Sequence, residues 1–481
     1  MLISLAGRYV GIALALVSSI VVARLLTPAE IGLVSIASAL LSIAKGIRDF
    51  GVGSYLVQER DLTHQRVNTA FTMTAAAGLL LALTTYLASP LIARFYSDVR
   101  LVGILRALSL NFLLIPIGST SLALLHREMR FDSIVLVNII AGLASFAVTV
   151  GLVVAGLGYM SLVWGGIGGT IVTSGMAWYL RPSDAPLRLG FKEWRRVARY
   201  GGQLTAAGII TDVAMNMNDL VIGRVMGPAP VAMVSRAQGA MNLMHQNLLG
   251  AVNSVMFAAF ARTRREGGDL GAEYAKSVAM MGVLAWPFYG FLALYPRDFL
   301  RLMFGPQWDA AAPLLSIFCI AGGVAVLWKL TPSLLQAVGR SDLALRCDLV
   351  IQIFRLALLA GIVIMFRSLE AFAYGLLAVY IVSVVVFERG RRQALGIRFP
   401  LWSPAVAKSL SVTCIALSAA VPLALARHSG WIPIHAQYVF WVAGISTAGL
   451  WIVALHVMRH PLNDDPIFVR TRTMVLRAIR P

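Results

Sequence analysis

Long apolar runs alternate with short polar breaks along the whole chain. The runs are near 20 residues or longer, the length at which an α-helix crosses the hydrocarbon core of a bilayer. Fourteen can be drawn, over 2–23, 31–57, 68–93, 101–125, 134–155, 158–180, 201–222, 231–261, 277–296, 309–336, 348–366, 370–387, 405–426 and 435–457. The alternating ten-residue segments of a membrane β-barrel do not occur. The pattern therefore predicts an all-α integral membrane protein with 14 transmembrane helices. The first run lacks a basic leader and a convincing cleavage site, so a retained first helix is expected, with a few basic residues ahead of it.

Composition agrees with the pattern. The chain has 481 residues, of which 58% are hydrophobic and 13% charged; a soluble domain carries about 25% charged residues. Its net charge is +19. With the N-terminus placed inside, 26 of the 41 Lys and Arg fall in the loops near 58–67, 126–133, 181–200, 262–276, 339–347 and 388–408 and in the tail. Nine fall in or next to the opposite loops, counting Arg236 near the start of the run 231–261, and six lie deeper within spans. The positive-inside rule then predicts cytoplasmic termini in a multi-pass membrane protein. It also accounts for the net charge without nucleic acid, for which no motif is present. Three scattered cysteines give neither a disulfide framework nor a metal site. GxxxxGK[ST] is absent and no cofactor is expected. The Gly-rich run Gly165–Thr170 is read as close helix packing.

The breaks suggest an organisation. A basic segment over 181–200, with Trp194 and Tyr200 as interfacial anchors, separates an N-lobe of six helices (1–180) from a C-lobe of six (201–387). A second linker (388–404), two further helices (405–457) and a cytoplasmic tail (458–481) follow. The lobes carry a repeat at an offset of 200: RLLTPAEIGLVS (24–35) against RVMGPAPVAMVS (224–235). Both segments join the first and second helix of a lobe on the same membrane side. A parallel repeat with its pseudo-two-fold along the membrane normal follows, a common transporter plan.

Charges inside the spans are the candidate chemistry. A charge at bilayer centre costs about 2.5–3.5 kcal/mol on insertion scales, yet IAKGIRDFGVG (43–53) holds three. Ser38, Ser42 and Lys45 form one helical stripe, extended by Asp49. The repeat places Gln238, Asn242 and His245 at the matching positions, so the two stripes are expected to face a central cavity. Arg8, Arg48, Arg106, Lys329 and Arg355 are the other intramembrane cations. They outnumber the acids, so mutual pairing cannot absorb them; an anionic cargo fits better. Lys45–Asp49 is also readable as a self-satisfied i,i+4 pair. Asp212, Asn216 and Asp219 share a face of the seventh span.

Several segments resemble the polysaccharide-transport (Wzx-like) flippases of the multidrug/oligosaccharidyl-lipid/polysaccharide exporter superfamily. They are Ala23–Thr63, Leu125–Ile134, Gly156–Gly165, Phe304–Leu315 and Ala337–Arg346. The resemblance implies a polyprenyl-diphosphate-linked oligosaccharide as cargo and alternating access between two lobes around a basic cavity. It implies the last two helices beside a lateral opening, and surface polysaccharide biosynthesis as the setting. Lys45, Arg48, Arg106, Gln238, Asn242, His245, Lys329 and Arg355 are the expected cavity contacts. Asp49, Asp212 and Asp219 are candidates for cation coupling. Membrane lipids, and a polysaccharide polymerase or other biosynthetic membrane proteins, are the expected partners. A multidrug exporter of the same superfamily would need an acidic pocket. A polysaccharide polymerase or ligase would need a large periplasmic loop with catalytic Arg or His. The sequence offers neither, and no enzymatic activity is expected.

Overall fold

The computed structural model describes residues 2–49, 52–59, 61–181, 188–192, 194–195, 212–213, 215–396, 403–429, 431 and 437–460; the side chains at 2–6, 8, 47–49, 54, 245–255, 428 and 437 lie outside the description. Every regular element among these residues is helical. In chain order they are α1 (Leu2–Leu25), α2 (Pro28–Asp49), α3 (Val52–Gln58), α4 (His64–Tyr96), α5 (Arg100–Arg127), α6 (Phe131–Val154) and α7 (Met160–Leu180). Next come α8 (215–226), α9 (Pro228–Arg265), α10 (Leu270–Leu294), α11 (Pro296–Met303) and a 3₁₀ turn (Pro306–Ala311). Last are α12 (Ala312–Ala325), α13 (Thr331–Ala337), α14 (Ser341–Phe366), α15 (Leu369–Leu395), α16 (Pro404–Leu417), α17 (Ala420–His428) and α18 (Gln437–Val457). Among the described residues nine helices are long and apolar enough to cross a membrane, or ten if the bent pair α16–α17 is one span.

Two compact units divide the chain, Met1–Met233 and Val234–Pro481. In the first, α4 packs on α5, α5 on α7, α6 on α7 and α1 on α6. In the second, α10 packs on α12 and α16, α15 on α12 and α14, and α16 on α18. Small residues set these approaches, because lipid tails give no hydrophobic drive and contact distance decides. Gly165 and Gly169 of α7 lie against Thr149 and Ser145 of α6, the close packing expected of the Gly-rich run.

Helix starts follow local chemistry. At TPAE the Glu30 carboxylate accepts the Thr27 amide at 2.9 Å while the Thr27 hydroxyl faces the Glu30 amide at 3.4 Å, a capping box. Before α6, Met129 takes φ 57° and is followed by Arg130 and Asp132; before α14, Gly339 takes φ 78° and is followed by Arg340 and Asp342. The same reversal thus opens one helix in each unit.

Prolines separate intact spans from broken ones. A proline at position i leaves the carbonyl of i−4 without its amide, and in lipid another group must satisfy it. Pro90 frees Tyr86 O, which accepts Ser89 Oγ at 2.7 Å. Pro287 frees Val283 O, which accepts Trp451 Nε1 of α18 at 2.8 Å. Those helices continue. Two spans expected to be continuous are instead interrupted. The run 309–336 divides at 326–330, ahead of Pro332. There Trp328 O accepts Thr331 N at 2.9 Å, Leu327 O accepts the Tyr274 hydroxyl at 3.1 Å and Gly323 O accepts Trp286 Nε1 at 3.0 Å. The run 405–426 bends by 47° between α16 and α17, near Pro422.

The segment between α10 and α12 is α11 plus the 3₁₀ turn. Arg301 binds Asp309 at 2.8 Å and Arg427 binds Asp298 at 2.6 Å. Gly305 makes the corner at φ 104°, ψ 173°, a region open essentially to glycine alone. Gly305→Ala should cost about 1–3 kcal/mol, read as a lower thermal midpoint for the purified protein.

Where α18 ends, buried His460 meets Ser409 of α16. Ser409 Oγ donates to Ala279 O at 2.9 Å, so it receives the His460 Nε2 proton at 2.9 Å. Burial, with the nearby Lys408 charge, pushes the His460 pKa down to about 4. A histidine titrates near 6.5 when unfolded. Its contribution to stability is therefore full above about 6.5 and is lost as pH falls toward 4. Thermal midpoints measured across that window should fall with acidification, and His460→Gln should flatten the slope.

Candidate functional site

The polar residues of the opening span lie in the last turns of α2, which is described as far as Asp49. Lys45 is four residues from that end and exposed. Beyond residues 50–51, which lie outside the description, α3 is fixed by packing and by charge. Val52, Tyr55 and Leu56 are buried with Val67, Ala70, Ala123 and Leu124. The Arg127 guanidinium of α5 donates to Leu56 O at 3.0 Å and Val57 O at 3.3 Å, capping α3 as a cation caps a helix end.

These elements enclose a cavity of about 700 Å³ within the first unit. Lys45 is its cation, and no carboxylate stands among its described lining residues. The remaining polar lining is hydroxyl and amide: Thr74, Ser119, Thr120, Asn138, Thr170, Thr173 and Ser174. Most of these hydroxyls spend their proton on a backbone carbonyl. Thr74 donates to Ala70 O at 2.9 Å, Thr170 to Gly166 O at 3.0 Å, Thr173 to Gly169 O at 2.9 Å and Ser174 to Leu114 O at 3.0 Å. Their oxygens keep acceptor lone pairs. Thr120 Oγ1 is buried without a hydrogen-bond partner. Gly53 and Gly166 complete the wall, and a Cβ at either would meet no heavy atom within 4 Å.

A second polar nest lies in the second unit at the broken span 326–330. Trp328 stacks on Phe387 with centroids 5.0 Å apart, and Lys329 Nζ stands 5.9 Å from the Trp328 ring. Asp348, Gln352 and Arg355 form an i, i+4, i+7 stripe on α14, with Asp348 within electrostatic reach of Lys329. Arg355 Nε, Gln352 Oε1 and Trp328 Nε1 are buried without hydrogen-bond partners. The same unit holds an apolar groove of about 300 Å³ lined by Met244, Leu284, Phe288, Phe291, Gly444 and Trp451.

The other expected residues are dispersed. Arg106 is exposed near the start of α5, its guanidinium 4.7 Å from the Tyr86 ring. Gln238 and Asn242 are half-buried on α9. Asn216 donates to Asp212 O at 2.7 Å, and Asp219 is half-buried on α8. The side chains of Arg8, Arg48, Asp49 and His245 lie outside the described residues, as do Tyr200 and the tail beyond His460. Arg236, counted with the loop cations although it falls inside the run 231–261, belongs to the body of α9, between Phe304 and Trp308 at 5.4 Å from each ring. Helix α9 begins at Pro228, so the loop is shorter than hydropathy alone draws it. Fully buried Trp308, from FGPQWDAAAPLL, is what holds Arg236 there.

Known proteins align with much of the chain. It is 26% identical to the lipopolysaccharide biosynthesis protein WzxC of Escherichia coli (strain K12), over 70% of this chain and 68% of that one. It is also 26% identical to the teichuronic acid biosynthesis protein TuaB of Bacillus subtilis (strain 168), over 72% of each. Its fold matches that of the lipid II flippase MurJ in an inward closed conformation, with a TM-score of 0.76 at 10% identity, covering 95% of this chain and 98% of MurJ. The profile of the polysaccharide biosynthesis proteins matches residues 21–313. By that match, over more than half its length, the chain belongs to the polysaccharide biosynthesis protein family.

Proposed function

We propose that this protein is a flippase. It moves a polyprenyl-diphosphate-linked oligosaccharide from the cytoplasmic to the periplasmic leaflet of the inner membrane, for assembly of a surface polysaccharide. The observation that carries the reading is the polar cavity with Lys45 and no described carboxylate, built inside a unit made of apolar spans. Such a cavity suits an anionic, hydroxyl-rich headgroup and disfavours the cationic drugs of a multidrug exporter. The family membership and the MurJ-like fold support it.

In this reading 14 helices form two six-helix lobes, 1–180 and 201–387, related by a parallel repeat, with two additional helices over 405–457. The 200-residue offset and the paired reversals at Met129 and Gly339 support the repeat. Both termini are cytoplasmic in this reading, which the distribution of basic loops supports. Arg48, Arg106, Lys329 and Arg355 supply further contacts for negative charge, and Gln238, Asn242 and His245 supply polar ones. The apolar groove beside Trp451 suits a polyprenyl tail.

Transport against a gradient needs coupling, and Asp49, Asp212 and Asp219 are the carboxylates placed in spans to provide it. Proteoliposomes with an imposed proton or sodium gradient should flip a fluorescent lipid-linked oligosaccharide faster than those without. Asp212→Asn and Asp219→Asn should remove the acceleration. Gradient-independent flipping, unaltered in both variants, would refute the coupling.

A further inference from the structure

The Lys45 cavity has a polarity that selects among the parts of such a cargo. A polyprenyl-diphosphate glycan offers three chemistries: an apolar tail, a diphosphate that only accepts hydrogen bonds, and sugars rich in hydroxyl donors. The cavity wall is rich in acceptors, because Thr74, Thr170, Thr173 and Ser174 have committed their protons to carbonyls of their own unit. An oxygen so committed can only receive. A diphosphate facing these four oxygens would set lone pair against lone pair, leaving Thr120 and Asn138 as the lining donors beside Lys45. It would also bring more than one negative charge to a wall whose described lining holds a single cation. A buried charge without a partner is costly. Sugar hydroxyls supply the missing donors, and one carboxylate matches one ammonium.

We infer that the first unit's cavity is a glycan subsite that takes an acidic monosaccharide unit, such as a uronate or a pyruvylated sugar. Lys45 binds its carboxylate, and the threonine and serine oxygens accept its hydroxyls. The diphosphate lies elsewhere. The volume of about 700 Å³ is within the range of small-ligand pockets, roughly 300–1,000 Å³. Gly53 and Gly166 keep the wall flat where side chains would otherwise project. The assignment rests on the flippase reading for its cargo, but its test does not require transport.

The full chain in lipid nanodiscs would be titrated with D-glucuronate, D-glucose and inorganic pyrophosphate, with binding followed by ligand-observed NMR. D-Glucuronate should bind saturably, and glucose on the order of tenfold more weakly, the scale of one charge-assisted contact. Lys45→Gln should bring glucuronate down to the level of glucose. Gly166→Leu should fill the cavity and abolish both. Gly175→Leu, on the same helix outside the lining and with nothing within 4 Å of its Cβ, should change neither. Three results would overturn the assignment: no saturable glucuronate binding, glucuronate binding unaffected by Lys45→Gln and Gly166→Leu, or pyrophosphate binding tighter than glucuronate and lost with Lys45. Glucuronate binding by a protein that does not flip lipid-linked glycan would leave the subsite standing and reject the flippase. Flipping with no glucuronate binding would do the reverse.

Discussion

Lys45→Gln is expected to cut the flipping of an acidic lipid-linked oligosaccharide by on the order of ten- to a hundredfold. A hydrogen bond to a charged group contributes about 1.5–3 kcal/mol, and here the charge sits in a cavity whose other described lining residues are hydroxyl, amide and apolar. The effect should appear in the rate and not in folding, because Lys45 is exposed to the cavity and carries no core packing. Lys45→Arg should keep part of the rate, since it keeps the charge but changes its shape. A neutral glycan on the same lipid should lose much less. The check is a proteoliposome assay of both cargoes against variants matched for insertion and thermal midpoint.

Gly78→Val should have the largest effect on the fold. Gly78 of α4 faces Phe112 O of α5, and a Cβ there would stand 2.3 Å from that oxygen. Pro116 leaves the Phe112 carbonyl without its helical amide, so the two backbones meet at this point. No rotamer relieves a clash with a carbonyl. Overpacking costs about 1–3 kcal/mol when side chains can shift, and a fixed backbone contact should reach or exceed the upper end. The variant should be recovered mainly as aggregate, as fluorescence-detected gel filtration would report. Gly151→Val, whose Cβ would meet nothing within 4 Å, should behave as the parent. The same contact lies beside the cavity, for Thr74 and Gly118 on these two helices line it.

Hydropathy made most helices legible, because apolar length in lipid leaves the backbone no alternative to internal hydrogen bonding. It could not distinguish a proline that a span tolerates from one that breaks it. Pro287 is tolerated because Trp451, more than 160 residues away, takes the freed carbonyl. Nothing adjacent to Pro287 encodes that donor. The break ahead of Pro332 is held by Tyr274 and Trp286, both also remote. Arg236 was misplaced for a related reason: the aromatic pair that shelters it comes from a different stretch.

At the site, the charge of Lys45 within a span was visible, and so was its function class. Its surroundings were not. The stripe logic pairs Lys45 with Ser38 and Ser42 on its own helix. In the structure the cavity around it is completed by residues of α3 to α7, including Thr74, Asn138 and Thr170. Threonines and serines in a helix read as ordinary filler until their hydroxyl protons are placed, and placement needs the carbonyls four residues back. The glycines were legible as packing positions, which holds for Gly165 and Gly169. Gly166, one residue along, faces the open cavity instead.

The most direct test of the account is transport itself. The purified chain, reconstituted alone into proteoliposomes, would be given a fluorescent polyprenyl-diphosphate oligosaccharide bearing a uronic acid. Leaflet exchange would be followed by quenching from outside. The account predicts exchange well above that of protein-free vesicles, lost with Lys45→Gln. Exchange no faster than in protein-free vesicles, with the protein folded and inserted, would contradict it.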